Sequence, residues 1–383
     1  MVQLGIEVLL TDRLDLIRGK SLGLVSNYTM TDSNYRPVID LLAQNREWRL
    51  IKLFGPEHGV KTAAKEGEHV TSGTDENTGL PVYSLYGETR QPDTEMLADL
   101  DVLVIDLQDI GSRYYTNMNT VYYCMEACGK LGLPCLVLDR PNPINGVSRE
   151  GNILNPEYRS FVGMHPIPNR HGLTMGELAL YFNDQLDSKC ELTVVEIRGW
   201  DRRTILSETG LPFVPSSPNT ASLDMCLLYP GTCFFEGVNV SLGRGTAHPF
   251  EVVGAPFIDG HLLSAWFNEQ KLPGIVSRPT YFTPTYSQYT GELCNGVHLH
   301  ITDPKLLEPV RTGLLLLQGV KELFSKTFNF IGVSEGKRPF IDLLAGTDRL
   351  RELVLNEEAL TYLSDSQEDL RAFSREIEKF ELY

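Results

Sequence analysis

The sequence predicts an α/β protein, a mainly parallel sheet domain followed by a smaller α+β domain. Apolar runs of strand length, "SLGLVSN" (21–27), "LIKLF" (50–54), "VLVIDLQD" (102–109), "PCLVLDR" (134–140) and "ELTVVEIRGW" (191–200), alternate with helical stretches. These runs are nearly continuous rather than alternating, the pattern of strands buried on both faces. Strand–helix alternation implies βαβ units with right-handed crossovers. After about residue 250 the texture changes: "VHLHITD" (297–303) alternates like a half-exposed strand, and amphipathic helices follow near 307–325 and 357–379. The expected division is 1–250 and 251–383, with the boundary somewhere in 245–260.

Helices are expected at 37–45, at 93–100 with Asp93 as N-cap, and at 116–130. "TMGE" (174–177) is a capping box that opens a helix running to about Leu186. Residues 55–92 hold many Gly, Thr, Glu and Pro with little periodicity, and a loop of that length within a compact domain is usually functional or disordered. Glu66 and Glu68 within it read as solvated, though either could swing over the crevice.

A chain of 383 residues, 42% hydrophobic and 22% charged, can bury the cores of two domains. Its net charge of −16 argues against nucleic acid as a partner, because phosphate binding needs a basic stripe. No apolar run approaches the ~20 residues that cross a bilayer. The first 20 residues do not read as a signal peptide, and seven cysteines without framework spacing read as free thiols. The expected compartment is therefore the cytoplasm, or an exported one if a leader was removed. Nothing in the sequence speaks to oligomeric state.

In an open α/β sheet, ligands bind beyond the carboxyl ends of the strands. Three such ends pass straight from apolar runs into polar side chains: Glu57 and His58, then Gln108, Asp109 and Arg113, then Asp139, Arg140 and Asn142. Parallel strands would bring all of them to one crevice. Each also has a plainer explanation. Asp139 before Arg140-Pro141 fits a turn with a local ion pair, and Asp109 fits a cap. Glu57 beside His58 on a Gly-Pro turn has the weakest structural reason to exist.

A second polar cluster spans 215–251, where Glu236 and Arg244 offer another carboxylate and an anion-binding guanidinium. No phosphate loop, nucleophile elbow or nucleotide motif is present, so no cofactor is expected. His298 and His300 share a strand face, but without a third ligand nearby in sequence no metal is expected. What remains is a carboxylate-rich crevice with Arg, Asn and Tyr86, Tyr114 and Tyr115. That set suits a sugar: carboxylates for acid/base work, amides for hydroxyls and rings for sugar faces.

"LFGPEHG", "TGLPVYSLYG", "DLQDIGSRYYT", "VLDRPNPING", "HGLTMGELA", "PSSPNT", "FEGVNVSLGRGT" and "PFEVVGAP" resemble, in order, the signature segments of the NamZ-type exo-β-N-acetylmuramidases, peptidoglycan-degrading glycoside hydrolases. The resemblance runs from about residue 20 to "FELY", with Val238 where the family pattern has Thr. It implies a Rossmann-like N-terminal domain, a smaller C-terminal α/β domain and an active site in the cleft between them. It also implies release of N-acetylmuramic acid (MurNAc) from the non-reducing end of peptidoglycan fragments such as MurNAc-GlcNAc.

By the resemblance Glu57 becomes the catalytic carboxylate, with His58 tuning it or touching the sugar. Asp109, Asp139 or Glu236 would be its partner, and a substrate-assisted route through the acetamido group also stays open. Arg113, Tyr114, Arg140, Asn142, Asn219 and Arg244 become substrate contacts, with one of the three arginines reading the lactyl carboxylate. Another β-N-acetylhexosaminidase or a non-catalytic cell-wall sugar-binding protein would be the rival readings.

Overall fold

A computed structural model describes residues 2–65, 67–332 and 337–383. Its strands are β1 (Ser21–Val25), β2 (Arg49–Gly55), β3 (Gly73–Thr74), β4 (Pro81–Ser84), β5 (Val102–Ile105), β6 (Cys135–Leu138), β7 (Glu150–Ile153), β8 (Pro168–Arg170), β9 (Leu192–Val195), β10 (Val252–Ala255), β11 (Ile275–Phe282) and β12 (Cys294–Ile301). The main sheet has seven strands in the order β3-β4-β2-β1-β5-β6-β9, parallel except for β3 on β4. A three-stranded antiparallel sheet, β10-β12-β11, forms later in the chain, and β7 pairs with β8 in a hairpin between them. The expected α/β sheet followed by a smaller α+β unit is what the chain builds.

The first helices are α1 (Gly5–Asp12), α2 (Val38–Ala43), α3 (Thr94–Leu97), α4 (Asn117–Leu131) and α5 (Met175–Gln185). Asp93 caps α3 by accepting from the Met96 N–H at 2.9 Å. Thr174 and Glu177 close the expected capping box on α5, at 3.2 and 2.9 Å. Val25, Leu103, Ile105 and Val137 face α4 and α5 on one side of the sheet, while Leu22, Leu24, Val104 and Leu136 face α1 and α2 on the other. That two-sided burial is why the strands read as unbroken apolar runs.

Four sequence readings need adjustment. The loop 55–92 contributes β3 and β4, which the sequence hid because β3 has only two residues and β4 begins at a proline. The runs 102–109 and 191–200 leave the sheet at Ile105 and Val195, so their polar tails are loops. The helix expected over 357–379 breaks at Ser366, whose hydroxyl bonds the Tyr362 carbonyl at 2.6 Å.

The second half adds α6 (Leu223–Thr232), α7 (Gly260–Glu269), α8 (Pro309–Leu323), α9 (Phe340–Ala345), α10 (Arg349–Leu355), α11 (Thr361–Asp365) and α12 (Gln367–Ile377). Helices α6 and α8 touch backbone to backbone: a Cβ on Gly231 would come within 1.9 Å of the Pro309 carbonyl oxygen, and one on Gly313 within 2.2 Å of the Gly231 oxygen. The core of this half takes in Ile110, Tyr114, Tyr115 and Ile144 from the loops of the main sheet. Conversely, Phe373 and Ile377 of α12 pack with α4 and α5. The two halves interlock, and loops of both enclose the same space. Among the described residues no helix is long and apolar enough to cross a membrane.

Candidate active site

The switch point of the main sheet lies between β1 and β5, where neighbouring crossovers run in opposite directions and a ligand is normally expected. Here it is filled. Arg140 reaches across to Asp106 in a buried ion pair, with its NH2 at 3.1 Å from Oδ2. Gln108 bonds the carbonyls of Asp109 and Pro141 at 2.7 and 2.9 Å. The void left beside Thr29, Gln108 and Pro141 is about 30 Å³, far below the ~300–1,000 Å³ of a ligand pocket.

The larger cavity, about 260 Å³, is displaced toward β2 and β4. Glu57 and His58 enter it from the end of β2, Tyr86 from beyond β4, and Thr116 and Asn117 from the start of α4. Ser217, Asn219, Glu236, Arg244, Phe250 and Phe340 line it from the second half of the chain. A neighbouring groove of about 310 Å³ shares Glu236, Arg244 and Phe340 with it. Pocket and groove thus form one recess with an inner and an outer compartment.

Glu57 is half-buried and held by two donors. Its Oε2 accepts from the Thr116 hydroxyl at 2.5 Å and its Oε1 from the Gly67 N–H at 3.3 Å. Thr116 is the N-cap of α4, so the carboxylate faces the positive end of a helix of 15 residues. Tyr86 stands beside it, its phenol pushed up to about 12 by burial and then by Glu57's charge, so it remains a donor. The turn that delivers Glu57 is strained: His58 has φ 71°, a left-handed conformation uncommon outside glycine, followed by Gly59 at φ 74°. His58 Nδ1 donates to the Ala64 carbonyl at 2.8 Å and fixes the loop that closes over the pocket. Lys65 of that loop lies 5.4 Å from the Tyr286 ring centroid, joining the rim contributed by β2's loop to the opposite wall.

On that opposite wall Arg244 bonds Glu236 Oε1 at 2.5 Å and lies over the Phe250 ring at 5.0 Å. Phe250 is the second left-handed non-glycine residue on the pocket, with φ 64°. Asn219 accepts from the Tyr286 hydroxyl at 2.7 Å. Glu57, His58, Tyr114, Asn219, Glu236 and Arg244 are therefore gathered at one cavity, with Tyr114 almost fully buried at its edge.

Five other expected site residues do not reach it. Asp109 holds His171 Nε2 at 3.0 Å and caps the Gly111 N–H. Arg113 is fully buried and donates to the carbonyls of Asn152, Ile167, Leu344 and Ala345 at 2.8–3.0 Å, stapling the hairpin to α9. Arg140 belongs to Asp106, as above. Asn142 bonds the Leu173 carbonyl and the Ile144 N–H at 2.9 and 3.1 Å. Asp139 accepts from Thr174, Gly176, Arg140 and Tyr383. Arg140 fills the switch point, and the other four are consumed by partners elsewhere in the fold. Glu66 lies outside the described residues.

Burial pushes the Asp139 carboxyl up to about 7 from 3.8, with Glu177 adding to the rise and the donors opposing it. A raised carboxyl means the folded protein keeps a proton that the unfolded chain releases. The stabilisation is full below about pH 4 and is lost as pH rises through 7. Thermal melts between pH 4 and 8 should show this decline in the wild type and its absence in Asp139→Asn. Over that range kcat of the variant should stay within about twofold of wild type.

Among the lining residues that the sequence did not single out are Thr116, Asn117, Phe161 and Phe340. Thr116 directly follows the "SRYY" segment and was legible only as a helix start; Phe340 stands among residues with no site signature at all.

The family model for the N-terminal part of exo-β-N-acetylmuramidase NamZ matches residues 22–224, and the model for its C-terminal part matches 227–383. The peptidoglycan β-N-acetylmuramidase NamZ of Bacillus subtilis (strain 168) is 43% identical over 383 residues, all of this chain and 91% of that protein. Crystal structures of two DUF1343 family proteins from Bacteroides fragilis NCTC 9343 superpose with TM-scores of 0.91 and 0.78, at 35% and 29% identity. Each alignment covers 100% of this chain and 99% of the other.

Proposed function

The chain belongs to the NamZ family of exo-β-N-acetylmuramidases, and on that footing we propose that it hydrolyses peptidoglycan fragments from the non-reducing end and releases MurNAc, with Glu57 as the general acid. One observation carries the assignment of Glu57: it is a carboxyl on a strained turn, oriented by Thr116 and Gly67, at the cavity's edge. A structural turn needs neither the strain nor the two donors. Protonated, the same carboxyl is aimed into the cavity to protonate the glycosidic oxygen as the bond breaks.

The recess suits an exo-acting enzyme. The inner compartment of about 260 Å³ is the size of one sugar ring rather than a glycan strand, and the outer groove opens beside it. Tyr86 and Phe161 give the cavity an aromatic wall, and Ser217, Asn219 and Thr220 offer hydroxyl and amide partners. Glu236 is the second carboxylate on the cavity, held by its ion pair with Arg244 where a positively charged transition state would develop. The proposed substrate is a disaccharide such as MurNAc-GlcNAc.

Chromogenic β-glycosides of MurNAc and GlcNAc, assayed side by side with the disaccharide, test the reading. Turnover of the MurNAc glycoside and free MurNAc from the disaccharide are expected. Equal turnover of the GlcNAc glycoside would make the protein a different hexosaminidase, and sugar retention without turnover would make it a binding protein.

The chemistry proposed for the cavity uses carboxyls only. Among the described residues, the one His/Cys/Asp/Glu group spaced for a cation lies outside the cavity's lining. Activity should therefore survive exhaustive EDTA treatment. Loss of turnover that zinc or calcium restores would refute a metal-free mechanism.

A further inference from the structure

Behind the cavity wall, the "HPFE" turn (248–251) leads into β10 and lies against β12. Phe250 points to the pocket. His248 and Glu251 point the other way, where β12 supplies His298. His248 Nδ1 is 3.3 Å from Glu251 Oε2, and His298 Nε2 is 3.6 Å from the same oxygen. All three ligand atoms lie within 4.8 Å of one another. The fold thus gives His298 two partners, His248 and Glu251, from a turn about 50 residues earlier, and His300 is not one of them.

We propose that His248, Glu251 and His298 form a binding site for a divalent transition-metal cation of the zinc type, separate from the catalytic carboxyls. Two imidazoles and a carboxylate are a recurrent zinc donor set, and Zn–N and Zn–O bonds of ~2.0–2.2 Å place neighbouring tetrahedral ligands about 3.3–3.6 Å apart. The two separations from Glu251 Oε2 fall at that spacing. The carboxylate is also oriented from behind: the Ser222 hydroxyl donates to Oε1 and leaves Oε2 to the histidines. Such outer partners fix a metal ligand before the metal arrives. Glu251 and His298 are buried and His248 is half exposed, which leaves an entry path and a coordination position for water.

One neighbour opposes the cation and makes the idea testable. Arg278 on β11 donates to His298 Nδ1 at 3.0 Å and to His300 Nε2 at 2.9 Å. A guanidinium cannot accept, so neutral His298 carries its proton on Nε2, toward Glu251. A metal on Nε2 requires the other tautomer, with the proton on Nδ1 and Arg278 turned away. Arg278 is exposed and has room to leave. It therefore acts as a gate: metal and guanidinium compete for opposite edges of one ring. A bound cation would tie β12 to the turn that carries Phe250, and so brace the wall on which Arg244 rests.

Metal-free protein at pH 7.5 should bind one equivalent of Zn²⁺ by calorimetry, with a rise in melting temperature. Co²⁺ should give visible absorption bands of a four-coordinate site. His248→Ala, a change at a half-exposed position that leaves the core intact, should weaken Zn²⁺ binding at least tenfold and abolish the Co²⁺ bands. Arg278→Ala should tighten binding several-fold. Zn²⁺ binding equal in the wild type and His248→Ala, absence of binding in both, or weaker binding in Arg278→Ala would overturn the proposal. The readouts are affinity and spectrum, so they stand apart from the hydrolytic assay.

Discussion

Glu57→Gln is expected to lower kcat by roughly 10²–10⁴-fold, the usual contribution of a general acid, with little change in melting temperature or product affinity. The amide keeps the reach of the carboxyl and still accepts from Thr116, but it has no proton to transfer. The companion variant Glu236→Gln tests the other carboxylate on the cavity. A Glu57→Gln enzyme within about fivefold of wild-type kcat would move the acid role elsewhere. One that melted early along with its activity would mark Glu57 as a brace for the 57–67 loop.

Arg244→Ala is expected to erase most of the preference for MurNAc over GlcNAc. The two sugars differ by a lactyl carboxylate, and Arg244 is the arginine of the three sequence candidates that lines the cavity. A charge-assisted hydrogen bond contributes roughly 1.5–3 kcal/mol, about 10- to 150-fold in kcat/KM. The guanidinium carries five N–H donors, enough to serve Glu236 and a ligand carboxylate together. Truncation also deprives Glu236 of its partner, so the double variant Arg244→Ala/Glu236→Gln separates the effects. If both variants keep the wild-type preference, another group reads the lactyl arm.

The sheet was legible because its physics is local. Val102–Ile105 and Cys135–Leu138 are buried on both faces and could be nothing but core strands. The turn at Glu57 was legible for the opposite reason, since two titratable side chains after Gly-Pro contradict the needs of a plain turn. The residues that follow β5 and β6 were misjudged because a sequence shows where a polar cluster begins but not what it meets. Asp106 and Arg140 satisfy each other across 34 residues, and Arg113 finds its acceptors up to 232 residues away. Charged residues consumed by such distant partners look, in one dimension, like residues awaiting a ligand. Phe340 and the ligand trio at His298 were hidden for the same reason.

Residues 381–383 return to the main sheet. Glu381 pairs with Arg149 and Arg202, the Leu382 N–H donates to Glu177, and the Tyr383 hydroxyl donates to Asp139 at 2.6 Å while accepting from the Ile197 N–H at 2.9 Å. During synthesis the seven strands emerge from the ribosome long before these partners exist. Until residues 381–383 have been made, Asp139 and Glu177 lack donors that the finished fold supplies. Folding of the sheet is thereby tied to a segment 244 residues beyond Asp139, so removal of residues 381–383 should lower stability even with every pocket residue present.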